Sequence, residues 1–192
     1  MAGSVVIFDF DGTITEPLLD FDLIRAELGI ERGSILEAIA GFSPAARRRA
    51  EVVITEHERV ASESAKLRAG AVETLTALRE GGHKIAILTR NARRWVDPVL
   101  DRFGIRIDAM RAREDGAIKP SPAPIHSLCA ELDADVTRSW MVGDHEFDIR
   151  AGSLAGARTV LIVDGREAPD SETTPDFVIR RLAELRSIIG PT

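Results

Sequence analysis

The chain has 192 residues and a single cysteine, Cys129, so neither an intrachain disulfide framework nor a thiolate metal cluster is available to it. Cys129 shares helical spacing with Ile125, Leu128 and Leu132, which predicts a packed core position. Positive charge is also in short supply, with 25 Lys and Arg against 31 Asp and Glu and a formal net charge of -6. Nucleic-acid binding draws its affinity from clustered Lys and Arg, so no nucleic-acid partner is expected. No apolar run approaches the length of a membrane span. The first run, at 5–8, follows an N-terminus without a basic region, so the reading is no signal segment, no membrane partner and a cytoplasmic location. Internal repeats and low-complexity tracts are missing too. What is present is an ordinary globular balance, 44% hydrophobic and 29% charged, at a length that suits one main domain with a modest insert.

Short apolar runs at 5–8, 85–88, 105–110, 140–142 and 159–163 alternate with stretches of helical period at about 71–80, 92–103, 122–132 and 147–154. A last helical face carries Leu182, Leu185, Ile188 and Ile189. Runs apolar on both faces suit buried parallel strands, and strand-helix alternation predicts a doubly wound α/β fold with a mainly parallel, five-stranded sheet. In such a sheet ligands bind beyond the carboxyl ends of the strands.

Residues 15–69 break the alternation. Helical patterns fill them: Ser34 to Glu37 reads as a capping box, and Ser43-Pro44 as an N-cap followed by proline at the first helical position. The long helix from Pro44 to about Lys66 is expected to carry Ala46, Ala50, Val53, His57 and Val60 on one face. The division predicted is a core of 1–14 and 70–192 with a helical insert over 15–69.

Polar residues gather where strands stop. Run one leads into Asp9-Phe10-Asp11-Gly12-Thr13, run two into Thr89-Arg90-Asn91, and run four into Gly143-Asp144-His145-Glu146-Phe147-Asp148. Lys119 lies in a loop that opens a helix at Ser121-Pro122. With the strands adjacent, Asp9, Asp11, Asp144 and Asp148 crowd together, and they all ionise only if a cation or lysine neutralises them. Oxygen-only ligands select a hard ion, and Mg²⁺ is the usual one where phosphate is handled.

These residues resemble the four ordered motifs of the haloacid dehalogenase (HAD) superfamily, and together they span nearly the whole chain. An Asp-x-Asp-Gly-Thr pattern arises by chance in roughly one chain of this length in several hundred to a thousand. The resemblance implies Asp9 as the nucleophile of an aspartyl-phosphate intermediate and Asp11 as the acid and base. It also implies Thr89 and Lys119 on the transferring phosphate, and Mg²⁺ held by Asp9, the Asp11 carbonyl and Asp144, with Asp148 acting through water or on Lys119. Gly12, Arg90 and Asn91 are candidates for substrate contact. The insert resembles the small helical cap of the phosphoglycolate phosphatase and β-phosphoglucomutase subgroup.

The activity implied is hydrolysis of a small phosphorylated metabolite by a monomer or homodimer. A phosphomutase of the same family is the alternative, and a non-catalytic receiver domain a remoter one. His83 is read as a turn residue and His126 as a partly exposed helix flank. Arg47 to Arg49 and His57 in the insert, and Glu16 just after the first motif, are alternatives for substrate contact, those of the insert at a substrate's acidic end, although a charge run on a helix is normally its solvated face; His145, between the aspartates of the last motif, is assigned no direct chemical role.

Overall fold

A computed structural model describes residues 3–163, 165 and 173–191. The chain folds into two compact units. One runs to Pro17 and resumes at Lys66; the other, Leu18–Ala65, holds the helices α1 (Phe21–Leu28), α2 (Ile35–Ala40) and α3 (Pro44–Ser64).

The first unit is built on strands β1 (Val5–Phe8), β2 (Lys84–Leu88), β3 (Ala109–Arg111), β4 (Trp140–Gly143), β5 (Arg158–Ile162) and β6 (Phe177–Ile179). They form one sheet in the order β3-β2-β1-β4-β5-β6, with every pairing parallel. Residues buried on both faces make β1 and β4 its centre. The helices of this unit are α4 (Ala71–Glu80), α5 (Arg93–Arg102), α6 (Ala123–Glu131), α7 (Glu146–Ala155) and α8 (Leu185–Ile188). Helices α6 and α7 pack on the sheet around Val5, Ile7, Leu88, Met141, Ile125, Leu128 and Cys129, so the lone cysteine is a core residue as its spacing predicts.

The sheet departs from expectation in having six strands rather than five, because β6 is a three-residue edge strand. Its three apolar residues, Phe177-Val178-Ile179, stand alone after a polar stretch, and Phe177 and Val178 stay exposed. The third strand is Ala109–Arg111 and not 105–110, since the chain pairs with β2 only from Ala109 on. His83 closes the turn at Gly81-Gly82 and is 5% exposed; its ring bonds the Ser4 hydroxyl at 2.6 Å and the Gly190 carbonyl at 2.8 Å. It ties the start of β1 to the end of the chain. The last helical face is delivered by a 3₁₀ turn, Leu182–Glu184, running into α8, with Leu182, Leu185 and Ile189 buried.

The helical unit packs around a core of its own: Ile24, Ile30, Ile35, Ile39, Ala50 and Ile54. Asp20 caps α1 by accepting from the Leu23 amide at 2.9 Å, and Ser43 caps α3 by accepting from the Ala46 amide at 3.3 Å, ahead of Pro44. The buried face of α3 is turned from the one predicted. Ile54 and Ala61 lie inside while Val60 is 49% exposed, so the aliphatic residues at 50, 54 and 61 set the face rather than the line through Val60. Among the described residues no helix is long and apolar enough to cross a membrane.

Candidate active site

Strand order reverses direction at the centre of the sheet, between β1 and β4, which is where an open parallel sheet leaves a crevice beyond its strand ends. Register brings the motif residues level there. Phe8 pairs with Ile87 on one side and Val142 on the other, so Asp9, Thr89 and Asp144 all emerge at the same edge. The Asp9 amide still donates to the Val142 carbonyl at 2.8 Å, which fixes the first aspartate as the last ordered step of β1.

Beyond Asp9 the chain turns. The Phe10 carbonyl accepts from the amides of Thr13, Ile14 and Thr15 at 3.0 to 3.3 Å, and from the Thr15 hydroxyl at 3.1 Å. Asp11 therefore sits half-buried in a turn, not two steps along an extended strand. Phe10 itself is 1% exposed and anchors the loop in the core. Gly12 has φ +76, and a Cβ there would lie 2.4 Å from Oδ2 of Asp144. Glycine is thus required twice, for the left-handed backbone and for the close approach of the two loops. Gly143 serves close approach on the other side: a Cβ would meet the Asp148 carboxyl carbon at 2.1 Å.

Asp148 is in the first turn of α7 and fully buried. One of its oxygens accepts from the His145 amide at 3.0 Å, closing a reciprocal cap in which the His145 ring nitrogen Nδ1 accepts from the Phe147 amide at 3.2 Å. Its other oxygen receives Lys119 Nζ at 2.6 Å, and the same ammonium reaches Asp9 Oδ1 at 2.7 Å. Lys119 is 2% exposed, reached through a loop with a cis peptide bond to Pro120.

Asp9, Asp144 and Asp148 each offer a carboxylate oxygen within 4.8 Å of the others. Among the described residues this is the group able to share an ion, and the Asp11 side chain is not part of it, so the expected cluster of four carboxylates is a cluster of three. Three carboxylates against the Lys119 ammonium leave two negative charges when all are ionised, the deficit a dication would fill. All the donors are oxygen, which suits a hard ion. Burial lifts Asp9 to about 6, against the opposing pull of Lys119. Burial also works against the Lys119 charge, but Asp148 and Asp9 outweigh it and hold the ammonium above its ordinary value. Burial lowers His145, which fits a neutral ring accepting through Nδ1.

Thr89 is 2% exposed, and its hydroxyl oxygen accepts from the Asn91 amide at 3.1 Å. That is the turn role its type usually has, and it leaves the hydroxyl proton as a donor. Asn91's carbonyl accepts from the Arg113 amide at 3.1 Å. Arg90 lies with its guanidinium 4.7 Å from the centre of the Phe147 ring, and Nη1 donates to the Lys119 carbonyl at 3.3 Å. Two participants had no sequence signal. Arg68 is buried and donates to the Gly12 carbonyl, bracing the turn that carries Asp11. Phe147 contacts both the Arg90 guanidinium and the His145 ring, 4.6 Å from the latter; the alternation of helical residues gave no hint of that role.

An all-parallel sheet with an acidic, lysine-balanced centre at its switch point defines an α/β core with a candidate site in the carboxylates after β1 and β4. The family model for haloacid dehalogenase-like hydrolases matches residues 25–162, and the chain belongs to that family. A haloacid dehalogenase-like hydrolase domain-containing protein of Arabidopsis thaliana is 31% identical over 96% of this chain and 82% of its own length. Phosphoglycolate phosphatase of Haemophilus influenzae is 37% identical over 61% of this chain, which spans about half, 54%, of that relative. In fold, the HAD-type protein YfnB of Bacillus subtilis, solved with magnesium bound, superposes with a TM-score of 0.72 at 18% identity, covering 98% of this chain and 99% of that one.

Proposed function

We propose that this hydrolase is a Mg²⁺-dependent phosphatase that cleaves a small phosphomonoester through an aspartyl-phosphate on Asp9. The observation that carries the reading is the triad of carboxylates converging on one buried lysine, two charges short of neutrality. The phosphatases among the relatives and the magnesium bound to YfnB support it.

Asp9 and Asp144 side chains and the Asp11 carbonyl would hold the ion, with Asp148 behind them. When bound, Mg²⁺ supplies charge that draws the phosphate dianion to Asp9 and offsets its negative oxygens. A carboxylate oxygen of Asp9 attacks phosphorus as the ester P–O bond breaks, and Asp11 gives its proton to the departing alkoxide. Asp11, now a carboxylate, takes a proton from water as that water attacks phosphorus; the bond to Asp9 breaks and phosphate leaves. Lys119, fixed by Asp148, keeps Asp9 oriented and offers positive charge to the transferring group, while the Thr89 hydroxyl donates to a phosphate oxygen. Gly12, Asn91 and Arg90 are assigned to the rim that meets the substrate, and the helical unit to the choice of substrate. The substrate is a small phosphorylated metabolite of the cytoplasm.

The test is release of phosphate from a generic aryl phosphate. Activity with Mg²⁺ that disappears in excess chelator and returns on adding the ion is the expected result. Turnover that survives complete metal removal would overturn the reading.

A further inference from the structure

We propose that Arg90 is a specificity residue whose guanidinium receives an anionic group, a carboxylate or a second phosphate, carried by the leaving-group part of the substrate. This deepens the phosphomonoester reading and rests on it.

Arg90 follows β2, and Phe147 follows β4; these strands flank β1 and so stand two strand spacings, roughly 10 Å, apart. The Arg90 guanidinium and the Phe147 ring nevertheless meet, 4.7 Å from guanidinium to ring centre, so the two side chains together bridge the end of the Asp9 strand. Arg90 also grips Lys119, but at the main-chain carbonyl, 3.3 Å from Nη1. The lysine's ammonium is the inner end of that residue, against Asp9 and Asp148. The guanidinium therefore lies at the main-chain end of Lys119, with that residue's four-carbon stem between it and the ammonium beside Asp9. The phosphate already has Lys119 Nζ and Thr89 at its own end, and the part of an ester that extends outward from it is the leaving group.

The placement is rigid. The Arg90 carbonyl accepts from Arg113 Nη1 at 3.3 Å, and the adjoining turn is closed by the Asn91 amide on the Thr89 hydroxyl at 3.1 Å. The His145 ring also packs against Phe147, with ring centres 4.6 Å apart. Stacking on a ring occupies the face of a guanidinium and directs its N–H donors into the plane, which is the geometry that matches a carboxylate or phosphate. Arg90 is half-buried, close enough to solvent for a ligand to reach and sheltered enough for the charge to count.

Three two-carbon phosphate esters that differ only at the far end, in hydroxyl, carboxylate or phosphate, test the proposal with the full chain and Mg²⁺. The wild-type protein should prefer one of the two anionic esters, and which one identifies the group. Arg90→Met should reduce that preference about ten- to a hundredfold, the range of a hydrogen-bonded charge pair, chiefly through KM. Arg90→Lys, which keeps the charge without the planar stack, should lose less of it and serves as the second variant if the methionine form does not fold. Equal rates on all three esters for wild type, or one common factor of loss across the three in the variants, would overturn the proposal while leaving the phosphatase reading intact. Failure of wild type on all three and on aryl phosphate alike would remove the phosphatase reading, and this inference with it.

Discussion

Replacing Asp9 by Asn should make the protein more stable while abolishing its activity. The Asp9 carboxyl is 13% exposed, so solvent does little to screen it, and burial raises it from 3.8 to about 6. A carboxyl whose folded pKa lies above its unfolded one binds its proton more tightly in the native state. The stability it contributes is complete below about pH 4 and is lost as pH rises through about 6. By pH 7, without a cation, ionisation of Asp9 costs about 3 kcal/mol relative to acid. Asparagine has the shape of the protonated acid and does not ionise. In excess chelator at pH 7, Asp9→Asn should therefore gain up to about 3 kcal/mol, or roughly 6 to 12 °C in Tm for a chain of this size. Toward pH 4 the gain should vanish. Thermal unfolding of both proteins by circular dichroism from pH 4 to 7.5 measures it, and comparing the two at each pH cancels the titrating groups that are not coupled to Asp9, leaving Asp9 with its neighbours Lys119 and Asp148. A variant no more stable than wild type at pH 7, or a difference that does not change with pH, would refute the reasoning. A nucleophile held ionised in a buried site costs stability that a metal restores.

Mg²⁺ affinity should weaken by about tenfold for each pH unit below about 6, because proton and ion compete for Asp9; calorimetric titration that stays flat down to pH 5 would contradict this. Gly12→Ala places a Cβ 2.4 Å from Asp144 Oδ2 at a φ of +76, and the strained backbone should cost about 1 to 3 kcal/mol of stability. The displaced carboxylate should also lower Mg²⁺ affinity at least tenfold, about 1.4 kcal/mol, and unchanged affinity in a folded variant would show that the close approach is dispensable. The Glu16 amide bonds the Lys66 carbonyl at 3.0 Å, so a short Gly/Ser linker in place of 18–65 has little distance to span. Such a variant should stay folded and weakly active on aryl phosphate, and lose far more activity on the preferred ester; an unchanged ratio of the two activities would take substrate choice away from the helical unit.

The sheet was legible because buried parallel strands have no polar face. Val5 to Phe8 and Ile85 to Leu88 are apolar without a break and lie where their patterns put them. Edge strand β6 was not, since Phe177 and Val178 face solvent and three residues carry no period. Of the site, Asp9, Lys119, Asp144 and Asp148 could be picked out because each lies just past a strand or near the start of a helix. What sequence could not show is which of them touch. Asp11 looked like a fourth member of the cluster from the adjacency of the strands alone, whereas the chain turns at Phe10 and the carboxylates that gather are Asp9, Asp144 and Asp148. Arg68 and Phe147 were missed for a different reason. A single arginine ahead of a helix and a phenylalanine within one have ordinary explanations, and only tertiary contact, with the Gly12 carbonyl in one case and Arg90 in the other, gives them a part in the site.

The most direct test of the account is where phosphate goes. Asp11→Asn lacks both the acid for the leaving group and the base for water but keeps Asp9, so with Mg²⁺ and an aryl phosphate, whose leaving group needs little protonation, it should still become phosphorylated and turn over slowly. Peptide mass spectrometry after acid quenching should place one phosphoryl group on Asp9 and none in Asp9→Asn. Phosphate on any other residue, or full turnover by Asp9→Asn, would contradict the assignment of Asp9 as the nucleophile.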